Sequence, residues 1–278
     1  MRYHEIPLLS RAAAAMMFTL LSICCGPLYS AVAVTSMQPA QMKALFEAEV
    51  DQRVQLSAED LEAYSASLTT SLRAAGIAEL TPQFVALVDR NPKAQIFLLL
   101  WSQPGEKPLL IGATPVSTGK PGAYDYFETP LGVFRHHPGN PDYRAEGTRN
   151  DNGVLGYGEK GTRIYDFGWQ LGRRGWDNGG LSAMRLQMHA TDAELLEPLL
   201  GAARSKGCVR IPLSLNHFLD HHGILDADYE AAAALGAKLP ILLPSRAPVS
   251  NAGRYLVVVD HPRTEPAAWL SPHSADPH

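Results

Sequence analysis

The stretch Arg204-Ser205-Lys206-Gly207-Cys208-Val209-Arg210-Ile211-Pro212, with Met188-His189-Ala190 upstream, decides how the rest of the chain is read. It sets a cysteine in a tight glycine-containing turn, with a basic residue on either side and a histidine within reach. A thiol is a nucleophile only as thiolate, and nearby cations or an imidazole lower its pKa toward working pH. Gly207 lets the backbone take a conformation that residues with a Cβ resist, so that amides of the turn can point at a bound carbonyl. Ile211-Pro212 leads into a helix-like run, with Pro at a first-turn position where its missing N–H costs nothing. These residue types in this order outline a cysteine acyl-transfer site.

Working outward, Arg185 to His189 alternates polar and apolar and predicts a strand ending at the histidine. Thr191-Asp192-Ala193-Glu194 has the spacing of a capping box and predicts a helix through Leu199 to Gly201. Beyond the cysteine, Leu213 to His222 and Asp226 to Leu235 read as helices stopped by Gly223 and Gly236. Leu239 to Leu243 and Tyr255 to Val259 read as closing strands. Further upstream, Phe84 to Val88, Ile96 to Trp101 and Leu109 to Val116 are short apolar runs separated by Asn91-Pro92 and Pro104-Gly105, which predicts a β-meander. Gly132-Val133-Phe134 begins another strand. Pro138 to Gly180 is rich in Gly, Asn, Arg and aromatics, and is expected to be a long irregular segment forming a lid or groove wall. Its aromatics include Tyr157, Tyr165, Trp169 and Trp176, of which the last three either line a groove or pack in the core. Near the start, Met42, Leu45, Phe46 and Val50 share one helical face. Ser57-Ala58-Glu59-Asp60 caps a second helix whose stripe Leu61, Tyr64, Leu68, Leu72 ends at Gly76.

The totals describe an ordinary globular protein, 46% hydrophobic and 19% charged with a net charge of −4. That balance argues against a nucleic-acid partner. Arg2 and Arg11, the apolar run Ala12 to Ile23 and the A-x-A site Ala31-Val32-Ala33 read as a cleaved export signal, with an uncleaved anchor and lipidation of Cys24, for which Ile23 is a poor preceding residue, as the alternatives. Cleavage would remove Cys24 and Cys25 and leave Cys208 as the only cysteine in an oxidising compartment. A buried structural cysteine is the alternative to a reactive one, but Lys206, Gly207 and Arg210 are poor company for burial in an apolar site. The expected organisation is a signal peptide over 1–33, a helical N-terminal extension over 34–81, a main domain over 82–260 and a disordered tail over 261–278. The fold class expected is mainly β with helices.

With His189 and the cysteine turn in hand, residues 82–260 resemble the L,D-transpeptidase catalytic domain of bacterial cell-wall enzymes. That family carries a histidine followed at a set interval by Ser-x-Gly-Cys-(Val/Ile)-(Arg/Asn), matched here by His189 and Ser205-Lys206-Gly207-Cys208-Val209-Arg210. Pro115-Val116-Ser117-Thr118-Gly119-Lys120 and Thr129-Pro130-Leu131-Gly132-Val133-Phe134 look like the family's strand-turn signatures. Two positions depart: Ala190 stands where the family commonly has Gly, and Lys206 where it often has His. The resemblance implies a two-sheet β-sandwich acting without a cofactor or metal on peptidoglycan stem peptides in the periplasm, with an amine, a lipoprotein or an amino acid as acceptor. A monomer is expected. Hydrolysis through the same thioester, making an L,D-carboxypeptidase, and a non-catalytic wall-binding module are the alternatives.

In that scheme Cys208 is the nucleophile and His189 the general base, its ring oriented by a backbone carbonyl near Ala190 as the family suggests. Arg210 either binds a stem carboxylate or anchors the loop through an ion pair. Ser205 is expected to hydrogen-bond within the turn, and the amides of Gly207 and Cys208 to serve as oxyanion donors. His136-His137 and His217, His221 and His222 lack the carboxylates or cysteines that would complete a metal site, and read as solvated or packed side chains.

Overall fold

The structure, a computed structural model, describes residues 38–77 and 80–270. The export-signal reading, with Cys24 and Cys25, and residues 271–278 of the expected tail lie outside the described residues. Two sheets and a few helices make a mixed α/β fold.

Helix α1 (Pro39–Glu49) starts with Pro at its first turn and buries Met42 and Phe46. Helix α2 (Ala58–Ala74) is capped by Ser57, whose Oγ accepts from the Asp60 N–H at 3.0 Å, and buries Tyr64, Leu68 and Leu72. Strands β1 (Gln83–Asp89), β2 (Ile96–Ser102) and β3 (Leu109–Pro115) form the expected antiparallel meander. Strand β4 (Gly132–Arg135) lies at the opposite edge of the same sheet, joined through the last strand, β9 (Tyr255–Val259), in the order β3-β2-β1-β9-β4. The second sheet runs β5 (Tyr143–Arg144), β6 (Arg163–Arg173), β7 (Leu181–Ala190), β8 (Val209–Ile211). Helices α3 (Leu213–His221) and α4 (Ala227–Ala234) follow β8.

Strands β1 and β2 are buried along their whole length, which is why they read as unbroken apolar runs. Phe84, Ala86 and Val88 share one core with Tyr165, Leu186, Met188, Val209 and Ile211 of the second sheet and with Met42 and Phe46 of α1. Val85 and Leu87 point the other way into a second core under Tyr64, Leu68 and Leu72 of α2. The first sheet is therefore covered on both faces. Each fully buried Leu or Phe contributes about 1.5–3 kcal/mol of transfer free energy, so the two amphipathic helices help hold this sheet together.

At one end of the second sheet the inner side is charged. Arg163, fully buried, donates from Nε to Asp142 at 2.7 Å and from both terminal nitrogens to Asp226 at 2.7 and 2.8 Å. His136 sits between Asp142, 2.9 Å from Nε2, and the Leu225 carbonyl, 2.9 Å from Nδ1. Arg144 closes the group on Asp220 at 2.7 Å. Three cations face three carboxylates.

Four expectations are corrected. The segment from Pro138 to Gly180 contains β5, the eleven-residue strand β6 and the turn of the β6–β7 hairpin, so only part of it is irregular. Asp192 caps a turn and a short 3₁₀ segment at Glu197–Leu199 instead of an α-helix; its Oδ1 accepts from the Leu195 N–H at 2.9 Å. Leu239 to Leu243 forms turns, because Pro240 cannot donate to a ladder. Residues 261–270, expected to be disordered, pack on the domain: Ala267 is buried, and the Trp269 indole N–H donates to the Ala94 carbonyl at 2.8 Å.

Candidate active site

Register puts the sequence-predicted residues on one surface. In β7, Leu186 and Met188 face the core, so Arg185, Gln187 and His189 face away from it. Parallel pairing matches Met188 to Val209 and His189 to Arg210. Val209 and Ile211 belong to the core, which turns Cys208 and Arg210 to the same outer face as His189 and Gln187. The antiparallel partner β6 adds Asp166, opposite Gln187.

The cysteine turn is clamped by the two upstream segments that the sequence singled out. Ser205 N–H donates to the Thr118 carbonyl at 2.9 Å and Lys120 N–H to the Ser205 carbonyl at 3.0 Å. Arg210 pairs its backbone with Ser117 in both directions, at 2.9 and 3.0 Å. Thr129 Oγ1 accepts from the Gly119 N–H at 2.9 Å and donates to the Gly207 carbonyl at 2.8 Å. Ser205 Oγ donates to the Cys208 carbonyl at 2.5 Å, which is the internal turn bond expected of it. Gly207 has φ +129°, and a Cβ there would come within 2.9 Å of the Met184 Cε. The positive φ is what favours glycine here, since the tip of the Met184 side chain could move aside.

His189 is nearly fully buried, and its Nδ1 lies 2.6 Å from the Ala190 carbonyl. A carbonyl only accepts, so Nδ1 carries the proton and Nε2 carries the lone pair. The Tyr157 ring packs against the imidazole with centroids 4.6 Å apart, and Tyr157 also lines a cavity of about 600 Å³. Burial, with the Arg210 charge adding to it, brings the His189 pKa down to about 4 against the opposing Ala190 bond. The ring is neutral.

Cys208 is partly exposed as a residue, yet burial of its sulfur pushes the thiol up to about 11. The Gln187 backbone N–H and the Arg210 charge pull the other way and are outweighed. The expectation of a thiolate held by flanking cations is therefore corrected. Lys206 is exposed and turns outward to Asp125, 2.6 Å away, leaving Arg210 as the cation beside the sulfur. Among the described residues, the sulfur and Nε2 of His189 are not hydrogen-bonded to each other, and the resting pair is thiol with neutral imidazole.

Arg210 makes no ion pair and no side-chain hydrogen bond among the described residues, although it is half-buried. Of the two readings of this residue, the loop-anchoring ion pair is absent. The oxyanion assignment also changes: the Gly207 N–H is taken by Ser205 Oγ at 3.1 Å, which leaves Cys208 as the one amide of that expected pair still to be considered. Tyr165 is a core residue, Trp169 stands in solvent and Trp176 packs edge-on to Phe127 at 4.9 Å. His136 belongs to the charged core, and His222 is 3.0 Å from Glu49.

Sequence reasoning passed over Gln187 and Asp166, and counted Tyr157 only among the aromatics of a segment expected to form a lid or groove wall. Gln187 Nε2 donates to Tyr143 Oη and to Asp166 Oδ2, both at 2.9 Å, and its Oε1 accepts from Tyr157 Oη at 3.3 Å. Counting back two residues from His189 along the strand would have found Gln187. No local signal marks Asp166, and none singles out Tyr157 from the other aromatics of its segment. The chain matches no protein-family model and no curated protein.

Proposed function

We propose that the protein is a periplasmic peptidoglycan acyltransferase of the L,D-transpeptidase type, with the two-sheet sandwich of that family. The observation that carries the reading is a buried neutral imidazole, its lone pair on Nε2, sharing one sheet face with the only described cysteine. Cys208 attacks the carbonyl of the diaminopimelate in a tetrapeptide stem while His189 Nε2 takes the thiol proton. The imidazolium passes that proton to the departing D-alanine nitrogen as the C–N bond breaks, leaving a thioester. An acceptor amine then attacks, gives its proton to Nε2, and the sulfur leaves and is reprotonated.

The pKa order keeps the resting pair uncharged and by itself opposes the transfer. A base at about 4 and a thiol at about 11 do not exchange a proton at rest, so the transfer belongs to the attack itself, once a bound carbonyl has excluded water. Arg210 supplies a guanidinium free to hold a stem carboxylate. The Cys208 N–H is the remaining amide of the turn to receive the oxyanion. Nothing in this scheme calls on a metal or a cofactor.

The test is intact mass after incubation with a carbapenem, followed by turnover of tetrapeptide muropeptides with and without an amine acceptor. A single adduct on Cys208 and 3–3 cross-linked product are expected. D-alanine release without cross-links would identify a carboxypeptidase, and an unmodified mass with no turnover would sink the acyl-enzyme altogether.

A further inference from the structure

The face that carries His189 and Cys208 does not stop at Gln187. Along the β6–β7 hairpin it continues through the pairs Trp169–Arg185, Leu171–Ala183 and Arg173–Leu181. An irregularity between Asp166 and Trp169 makes this possible. Gly168, at φ +77°, takes up the extra residue, so Phe167 stays in the core and Trp169 emerges on the outer face. Trp169 is 68% exposed, Leu171 65% and Leu181 61%. Three large apolar side chains together on one bare, pleated surface are unusual for a solvated hairpin.

The shelf is held rigidly to the cysteine turn. Phe127 N–H donates to the Lys206 carbonyl at 3.2 Å, Glu128 N–H to the Arg173 carbonyl at 2.9 Å, and Gly175 N–H to the Tyr126 carbonyl at 2.7 Å. One segment therefore fixes both the turn and the hairpin tip. At the other end of the face the Tyr157 loop covers His189, so a substrate reaching Cys208 finds its open ground toward the hairpin.

We infer that this shelf seats the sugar of the glycan strand to which the donor stem is attached, so that the enzyme selects glycan-linked stems over free peptides. The inference rests on the function proposed above. Length supports it: a two-residue step along the sheet is about 7 Å and neighbouring strands lie about 4.8 Å apart. That puts Arg185, one step along and one strand over, about 8–9 Å from Cys208; Trp169, one step along and two strands over, is about 12 Å away, and Leu171, a step further, about 17 Å. The two stem residues before the reacting diaminopimelate, with the lactyl link, span about 10–14 Å when extended. The first pyranose ring then falls over Trp169, with Leu171 beyond it. A pyranose presents an apolar C–H face that stacks on an indole. Charge agrees as well. Arg185 gives its Nε to Asp166 Oδ2 at 2.7 Å, and its two terminal nitrogens have no partner among the described residues. They stand where the free α-carboxylate of the second, γ-linked stem residue would pass.

The experiment compares kcat/KM for a disaccharide tetrapeptide and for the same tetrapeptide without sugar, with one amine acceptor. The intact protein is expected to favour the sugar-bearing donor by roughly tenfold, an ordinary return for one aromatic stacking contact. Trp169→Ala should bring the ratio to about one to two, Trp169→Tyr should restore most of it, and Leu235→Ala, far from the face, should leave it alone. Trp169 is exposed, so the thermal midpoint of Trp169→Ala should stay with the parent. A parental ratio near one overturns the inference while leaving the acyl-transfer reading intact. So does a parental ratio unchanged in Trp169→Ala, including the case where that variant instead loses binding to phosphatidylglycerol vesicles or loses a dimer. If neither donor is turned over and Cys208 takes no label, it is the underlying function that fails.

Discussion

Two buried histidines on opposite sides of the same sheet show how this fold separates scaffold from chemistry. His136, on the inner side, has an acceptor at each ring nitrogen, the Asp142 carboxylate and the Leu225 carbonyl. Burial opposes its charge, but the attraction and hydrogen bond of Asp142, helped by Asp226, raise its pKa above the ordinary value. His189, on the outer side, has a backbone carbonyl at Nδ1 and a guanidinium nearby, and burial takes it down to about 4. Every charge around His136 is matched. Around His189 there is an uncharged pair and an arginine without a carboxylate. Matched burial fixes a structure, whereas unmatched burial leaves groups ready for an incoming partner.

The strongest way to break the contrast is to remove each ring in turn. His189→Ala should lower the rate of D-alanine release by about a hundredfold to ten-thousandfold, the usual worth of a positioned general base, with a smaller loss of stability, about 1–3 kcal/mol, from the Ala190 carbonyl left without its donor. His136→Ala should leave the chemistry near normal in whatever protein folds. It should cost about 3–5 kcal/mol of stability by stripping a partner from buried Asp142, read as a fall in denaturant midpoint. If the two variants swapped these effects, the base would have been assigned to the wrong side of the sheet.

Titration sharpens the same comparison. His189 has a folded pKa of about 4 against 6.5 when unfolded, so the unfolded chain binds its proton first as pH falls. Its contribution to stability is complete above pH 6.5 and lost as pH drops toward 4. His136 is raised, so its contribution is complete below 6.5 and lost as pH climbs through the raised value. Ring-proton NMR should show one histidine still neutral at pH 5 and another still charged above 6.5. A His189 resonance titrating near 6.5 would contradict the neutral-base scheme.

Much of this was legible in the sequence wherever a local rule governs. The runs at Phe84, Ile96 and Leu109 had the length of buried strands, and Ser57 announced its helix. His189 and Cys208 came from residue chemistry and from a turn that only glycine can make. What stayed hidden depended on partners distant in the chain. Strand β6 begins with Arg163 and contains Asp166 and two glycines, so its alternation is masked until the carboxylates of 142, 220 and 226 are seen around Arg163. The thiolate expectation counted neighbours in sequence. In space, Lys206 belongs to Asp125 and burial outweighs Arg210. The apolar run at 239–243 looked like a strand because its hydrophobicity outweighed Pro240, the local sign against a ladder. Trp169 could not be placed because one extra residue at Gly168 reverses which face it takes.

The smallest predicted effect tests the unmatched arginine. Arg210 lowers the Cys208 thiol without overcoming burial, so alkylation by neutral iodoacetamide should climb with pH and reach no plateau before about pH 11. Removing the charge in Arg210→Met should raise the thiol further and slow that reaction at pH 9 by roughly threefold to tenfold. Iodoacetate adds a second measure, because its carboxylate is a small stand-in for the anion the guanidinium would hold. If Arg210 is an anion seat, Arg210→Met should slow iodoacetate more than iodoacetamide, and 0.5 M salt should narrow the difference in the parent only slightly, since a half-buried charge is poorly screened. Equal slowing of both reagents would mean that the guanidinium tunes the sulfur but binds nothing, and the stem carboxylate would have to be held elsewhere.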